Sequence, residues 1–456
     1  MHLAERIEVI QQAATHDQPQ SPGLQIAEFD VTVIGGGLAG SAAAIHLSKA
    51  GFRVLCIEPD LADTDSVGES LDWSAPALLD ALGLTMEMLI AEKIATYKRH
   101  VTLKLGDGCN RNYVPGEWLG RPPFNVELRT LHVDRSQLNR LLREIVVSLG
   151  VTFLPDRVVA VETDGKRVTA VSTQHGNRIC SPWFIDASGS AASLFARAFH
   201  LPAYESGPRK VAIWSYFPIT MPSEGTTLYA DGVKPPYMEW VWEIPINPTT
   251  ISVGYVATGE TIKAQRQEGR AVEEILREKL GRFPRFASLL ESVPAISPSV
   301  TSFVCRMHGG VAGPNWLIAG EAAAMVDPMT SNGVTAALRH ASEGSRLIIE
   351  SRHRHRIPYL AAAMYSRRIL GLAKFFNRGI EQVIYEAPIR NRIGVLQAGD
   401  VYTVPAWSLN SIYSRFRPHG TFKTLLFGCL LDLFRMGEYL LYRFCKWLEP
   451  SSRLTA

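Results

Sequence analysis

The stretch that decides the fold is Phe29-Asp30-Val31-Thr32-Val33-Ile34 running directly into Gly35-Gly36-Gly37-Leu38-Ala39-Gly40. The first six residues read as a short buried strand. Ser41 to Ala50 then reads as a helix ending at Gly51, and Arg53-Val54-Leu55-Cys56-Ile57-Glu58 as a second strand closed by an acid. Strand, GxGxxG, helix, strand and acid within one short unit make a dinucleotide fingerprint. Gly35 makes the tight turn, Gly37 lets backbone approach a pyrophosphate, and Gly40 lets helix pack on strand. The uncapped N–H groups of the helix start, with Leu38 and Ala39 in its first turn, favour the phosphate charge. Glu58 lies 18 residues past Gly40 and can accept the ribose hydroxyls, which disfavours a 2′-phosphate at this site.

Working outward, Leu131-His132-Val133-Asp134-Arg135 opens a helix to about Leu149. Asp134 is its expected N-cap, with an apolar stripe at Leu138, Leu141, Leu142 and Ile145. A cation in the first turn, Arg135, is unfavourable for the helix dipole unless it meets an anion. Strands are expected near 157–163, 168–174 and 178–184. Trp183-Phe184-Ile185-Asp186-Ala187-Ser188-Gly189 reads as a buried strand ending in an acid and a glycine. Trp316-Leu317-Ile318-Ala319-Gly320-Glu321 repeats that pattern before a helix starting about Asn332-Gly333. There Glu321 can take a ribityl hydroxyl, and the helix N-terminus can face a flavin pyrimidine. These two later segments select FAD over NAD.

The three signatures, GxGxxG with Glu58, Asp186 to Gly189, and Gly320-Glu321, resemble those of the FAD-dependent monooxygenases built like the aromatic hydroxylases, over about residues 29–345. That family usually carries Asp where this chain has Glu321. Three more motifs are similar to the flavin-dependent halogenases and their hydroxylating relatives, including tryptophylquinone-maturation monooxygenases. They are Val67-Gly68-Glu69-Ser70, the WxWxIP of Trp240 to Pro245, and Asp327-Pro328-Met329-Thr330-Ser331-Asn332-Gly333. The resemblance implies an α/β fold: a discontinuous Rossmann-like FAD-binding domain, an inserted antiparallel β substrate domain and a helical C-terminal region. It implies that Gly35, Gly37, Leu38, Ala39, Gly40, Glu58, Glu69, Ser70, Arg135, Asp186, Gly320, Glu321, Asn332 and Gly333 bind FAD. Trp240 and Trp242 share one strand face and read as lining.

The function implied first is oxygen insertion into an electron-rich aromatic, indole or phenol, through a flavin C4a-hydroperoxide. The substrate is a small molecule or a tryptophan in a partner polypeptide. The alternative is halogenation, for which the resemblance assigns Lys98 as the catalytic residue. Burial would lower its pKa as catalytic lysines require. Indole halogenases carry a glutamate where this chain has Thr330, which counts against a tryptophan-halogenase mechanism and leaves the phenol or pyrrole type open. A third reading is a membrane-associated flavin-dependent isoprenoid reductase, and a fourth a non-catalytic FAD scaffold. Electrons would come from NAD(P)H directly or through a flavin reductase.

Composition sets the outer bounds. The chain has 456 residues, 46% hydrophobic and 20% charged, which excludes a disordered or disulfide-scaffold chain. Net charge is +3, which does not suggest a nucleic-acid binder, but it is unevenly distributed. Residues 351–456 hold 16 Lys+Arg against 6 Asp+Glu, and the rest 31 against 38. An acidic protein partner could dock on that basic region, where Arg367, Arg368, Lys374 and Arg378 recur at near-helical spacing. Thr421 to Leu448 reads as an amphipathic helix that covers the body or, second, rests on a membrane surface. Tyr402 to Trp407, with Pro405, reads as an extended break. Six scattered cysteines suggest a reducing, cytoplasmic setting. No residues are assigned to a metal. Glu5, Arg6 and Glu8 stand where a signal peptide would be apolar. The expected organisation is 1–28 flexible extension (a short helix at His2 to Ala14), 29–200 and 301–350 FAD-binding, 201–300 β-rich substrate domain, and 351–456 helical basic region.

Overall fold

A computed structural model describes residues 25–26, 29–59, 67–122, 125, 128–189, 193–230, 237–293 and 296–448. The expected helix at His2 to Ala14 lies outside the described residues. The chain is a mixed α/β fold with parallel and antiparallel sheets and a helical C-terminal region.

The quoted stretch forms the strand Val31–Ile34 and the helix Leu38–Lys49, followed by the strand Val54–Ile57. All eight strand residues are buried, as a strand covered on both faces requires. Five parallel strands make the sheet, in the order Trp316–Ile318, Trp183–Asp186, Val31–Ile34, Val54–Ile57, Thr152–Leu154. Numbered in chain order and read from the Thr152–Leu154 edge this is 3-2-1-4-5, the doubly wound order whose switch point lies between the first and fourth strands. Gly35 sits at that point with φ +100, and a Cβ there would meet the Ala187 carbonyl oxygen at 2.4 Å. A Cβ on Gly40 would meet the Gly35 carbonyl oxygen at 1.8 Å, so the helix can lie this close to the strand only with glycine.

The second large sheet has seven strands in the order Ser299–His308, Ala203–Pro218, Thr250–Thr258, Trp240–Asn247, Gly225–Ala230, His100–Leu105, Asn110–Tyr113. It is antiparallel except where Gly225–Ala230 pairs parallel with His100–Leu105. That pair stitches in a segment from ahead of the β-rich stretch. Lys98 ends the strand Ala95–Lys98, which pairs antiparallel with Thr130–Val133. The expected strand at 178–184 divides into Arg178–Ile179 and Trp183–Asp186, in different sheets. Gln25–Ile26, expected within the flexible extension, pair parallel with Arg178–Ile179 and so occupy a sheet edge.

The extended break at Tyr402 to Trp407 is a correction. Helix Val395–Phe416 runs straight through it with Pro405 inside. Tyr402, Ala406 and Trp407 are buried on one side, and their packing outweighs the one backbone bond a proline removes. Arg368 is a second correction. It is buried and paired with Glu343 at 2.9 Å, on the inner side of helix Tyr359–Ile380, so it cannot meet a docking partner. No helix among the described residues is long and apolar enough to cross a membrane.

Candidate functional site

A cavity of about 380 Å³ lies at the C-terminal ends of the parallel strands, roofed by the seven-stranded sheet. Its walls take Gly37, Leu38, Ala39, Glu69, Ser70, Arg135, Gly320, Glu321 and Gly333 from the expected set. Gly35, Gly40, Glu58, Asp186, Asn332 and Lys98 stand outside the lining. A larger concavity of about 1720 Å³ opens elsewhere, along helix Tyr359–Ile380, and contains none of the residues expected to bind FAD. The chemistry-bearing motifs converge on the smaller one.

Several features of the cavity fit FAD. The N-cap Gly37 offers no side chain to the helix start, and a Cβ there would meet nothing within 4 Å. The first N–H groups are thus left for an anion. The Gly36 N–H donates to Glu58 Oε2 at 2.5 Å, fixing that carboxylate beside the loop. Arg135 gives Nη1 to the carbonyls of Val67 and Gly68 at 3.3 and 3.4 Å, while its buried Nε has no partner. Glu69 and Glu321 supply opposing charge to it. Burial raises the Glu69 pKa, against the Gly68 N–H and the Arg135 charge, which lower it. Asn332 N-caps the helix Gly333–Ser351, and its buried Nδ2 is likewise unpartnered.

Asp186 is placed differently from the expectation. Its carboxylate accepts from Ser188 Oγ at 2.5 Å, Ser193 Oγ at 2.9 Å and the Phe195 N–H at 3.0 Å. It shapes the turn that brings Ala187 and Gly189 to the cavity wall, rather than reaching into it. The two tryptophans do share a face. Both line the cavity with centroids 5.8 Å apart, and Trp242 fills the space where Gly254 lacks a side chain. Thr330 is buried and its hydroxyl donates to the Asp327 carbonyl, so no carboxylate stands at that point.

Lys98 lies behind the cavity wall, 1% exposed. Its Nζ donates to Ser70 Oγ and the Leu71 carbonyl, each at 2.9 Å, and to Ser331 Oγ at 3.3 Å. Ser70 and Ser331 both line the cavity. Burial drives the Lys98 pKa from 10.5 down to about 7, with Asp72 opposing the drop. Ser331 reaches this position from the αL conformation at φ 58, closing the turn Pro328–Thr330. On its other flank the ammonium sits 4.6 Å from the Trp73 ring centroid. Trp73 stacks on Trp407 at 4.9 Å, Trp407 also stacks on Trp118, and the Trp73 Nε1 is buried without a partner.

A hydrogen-bond chain behind Ser70 has a determined direction. The Pro245 carbonyl can only accept, so Thr96 Oγ1 donates to it at 2.5 Å. Thr96 then accepts from His132 Nδ1 at 3.2 Å, leaving Nε2 to accept from Thr226 Oγ1 at 2.9 Å. Thr226 in turn accepts from Ser70 Oγ at 2.9 Å, and Ser70 keeps its lone pairs for Lys98. His132 is fully buried; burial first, then the charges of Lys98 and His100, hold its pKa well below the ordinary value. It is therefore neutral with the proton on Nδ1. Sequence reasoning missed His132, Thr226, Ser331, Trp73 and Trp407 as site neighbours. Only the Asp327–Gly333 motif gave a signal for one of them.

Two family models match the chain: tryptophan halogenase over residues 125–358 and FAD dependent oxidoreductase over residues 30–200. A tryptophan 2-halogenase of Chondromyces crocatus is 29% identical over 333 residues, covering 68% of this chain and 59% of that protein. The chain thus spans less than two thirds of that relative's length. A 1H-pyrrole-2-carbonyl-[peptidyl-carrier protein] chlorinase of Pseudomonas fluorescens is 29% identical over 356 residues, covering 71% of this chain and 76% of that protein. Among solved structures, the halogenase PltM in complex with phloroglucinol and FAD superposes with a TM-score of 0.71, covering 93% of each chain at 14% identity. At that identity the likeness speaks for the fold.

Proposed function

The chain belongs to the tryptophan halogenase family, and from that premise we propose that it halogenates an electron-rich aromatic substrate with FAD as cofactor and Lys98 as the catalytic residue. The observation that carries this reading is the setting of Lys98, a fully buried ammonium one hydroxyl away from the cavity. Oxygen insertion, the first expectation from the sequence, draws no support from the halogenases to which the chain is similar.

When bound and reduced, FAD with oxygen and halide supplies hypohalous acid. The residues of this chain do the rest. Gly37 and the helix start hold phosphate, Glu58 the ribose, and Arg135 with its unpartnered Nε an anionic group. Trp240, Trp242 and Phe303 wall the cavity and exclude water. Lys98 Nζ keeps two protons on Ser70 Oγ and Leu71 O. Its third, on Ser331 at the longest of the three distances, is the one a hypohalous oxygen can displace and share. Donation there withdraws charge from oxygen and leaves the halogen electrophilic. His132 acts through Thr226 as a positioning residue that keeps Ser70 an acceptor. The stacked Trp73 and Trp407 close the far flank of the ammonium as packed core. Thr330 in place of a carboxylate favours a phenol or pyrrole over an indole substrate. The electron donor is NAD(P)H, directly or through a separate flavin reductase.

The test is purified protein with reduced FAD, oxygen and bromide on a panel of phenols, indoles, free pyrroles and carrier-tethered pyrroles, read by mass spectrometry. The expected product carries the bromine isotope pattern and vanishes in Lys98→Ala. A gain of one oxygen atom instead would return the oxygen-insertion reading.

A further inference from the structure

The last helix, Thr421–Trp447, buries Thr424, Phe427, Leu431, Glu438 and Cys445 against the body. Its opposite side is a continuous apolar stripe in solvent. Phe422 is 77% exposed, Leu426 52%, Leu433 59%, Met436 55%, Leu440 59% and Trp447 78%. The stripe runs the whole helix, roughly 40 Å at 1.5 Å per residue. Isolated exposed apolar residues are ordinary, but a contiguous patch of this size marks a contact surface.

The charges beside it identify what it contacts. Arg443 and Lys446 are exposed on the same helix, and Lys374 and Arg378 of helix Tyr359–Ile380 border the adjoining groove with Arg435. Of the acids nearby, Glu386 meets the Tyr442 hydroxyl beside Lys446. Asp432 is already paired to Arg435 at 2.8 Å, and Glu438 is buried. The Arg435 Nε is buried without a partner. Lys374 has its pKa lowered by burial and then by the neighbouring charges of Arg435 and Arg378, the mark of cations crowded together. An anion laid over the groove would relieve that repulsion.

A second copy of the chain fits poorly. The stripe alternates in steps of three and four, as in a two-helix seam, but Arg443 occupies one of its positions. Parallel self-pairing would set Arg443 against its own copy inside the seam. Antiparallel pairing about the midpoint would set Lys423 against Lys446. A surface that takes a long convex apolar ridge and carries negative charge beside it has neither problem. We propose that this face docks on an anionic lipid surface, with the stripe at the headgroup–acyl boundary and Lys374, Arg378, Arg435, Arg443 and Lys446 among phosphate headgroups.

The experiment is co-sedimentation of the full-length, FAD-loaded protein with vesicles of phosphatidylcholine alone or mixed with phosphatidylglycerol, at low and high salt, beside light scattering in solution. Binding about tenfold tighter to the anionic vesicles, weakened by salt, is expected from several cations near the surface. The exposed pair Leu433→Ser/Leu440→Ser should lose the binding, and Lys374→Gln/Arg378→Gln should lose its preference for anionic lipid. Both variants should keep flavin content and melting temperature. Equal sedimentation with and without vesicles would overturn the proposal. So would unchanged binding by the serine pair, or a wild-type dimer that the serine pair turns into a monomer, which would assign the face to a second copy.

Discussion

Replacing Lys98 by Met removes the buried ammonium while keeping a side chain of similar length. The stability effect follows from the proton balance. An unfolded lysine holds its proton up to about 10.5, whereas the folded one releases it at about 7. Between those values the unfolded chain binds more protons, so wild-type stability rises with pH there. The full penalty, about 5 kcal/mol at a little over 1 kcal/mol per unit, is present below pH 7 and relieved as pH approaches 10.5. Methionine has no such dependence. The stability of Lys98→Met relative to wild type should therefore be greater at pH 6 than at pH 9, by about 3 kcal/mol. The comparison cancels the constant cost of leaving the Leu71 carbonyl without its donor, about 1–3 kcal/mol. Urea unfolding of both proteins at pH 6, 7, 8 and 9, with flavin absorbance confirming that FAD is retained, measures it directly. The catalytic counterpart is a loss of about 10²- to 10⁴-fold in halogenation rate, with reduced flavin still consuming oxygen. Wild-type rate should fall as pH rises through about 7, since the protonated amine is the acting form. Parallel pH–stability curves for the two proteins, or a wild-type rate that climbs through pH 7, would refute the assignment.

Other substitutions probe the surrounding structure. His132→Leu removes the acceptor that orients Thr226 and Ser70; halogenation should fall about tenfold with its pH limb displaced, while FAD affinity, read by fluorescence titration, stays unchanged. Glu58→Ala should weaken FAD binding about tenfold, the scale of one charged hydrogen bond, with the halogenation rate restored at saturating FAD. Pro405→Ala restores a backbone donor inside a 22-residue helix. It should raise stability by about 1–3 kcal/mol in urea unfolding, and a loss instead would mean that the ring itself is needed in the packing against Tyr402 and Trp407.

How much of this could be read from the chain alone depended on the range of the interactions involved. The turn at Gly35–Gly40, the helix after it and the acid at Glu58 are neighbours in sequence, and steric rules at three glycines specify them before any tertiary contact forms. Asp134 was legible as an N-cap for the same reason, and its side chain does accept from the Gln137 N–H at 3.2 Å. Asp186 shows the limit of a motif. It ends its buried strand as expected, but the fold directs its carboxylate to Ser188, Ser193 and Phe195 rather than into the cavity.

Pro405 and Arg368 mark the same boundary from the other side. A proline within a helix and an arginine within a basic run carry strong local expectations, and both were reversed by burial against distant helices.

From sequence by itself came a Rossmann-like FAD-binding fold of the halogenase-like branch, with Lys98 assigned by resemblance alone. Only the tertiary structure distinguishes that lysine. It does so by bringing Ser70, Leu71 and Ser331, separated by up to 261 residues, around one amine and closing water out. A lowered amine pKa is a property of that enclosure, since desolvation acts on the volume around a charge and not on its neighbours along the chain.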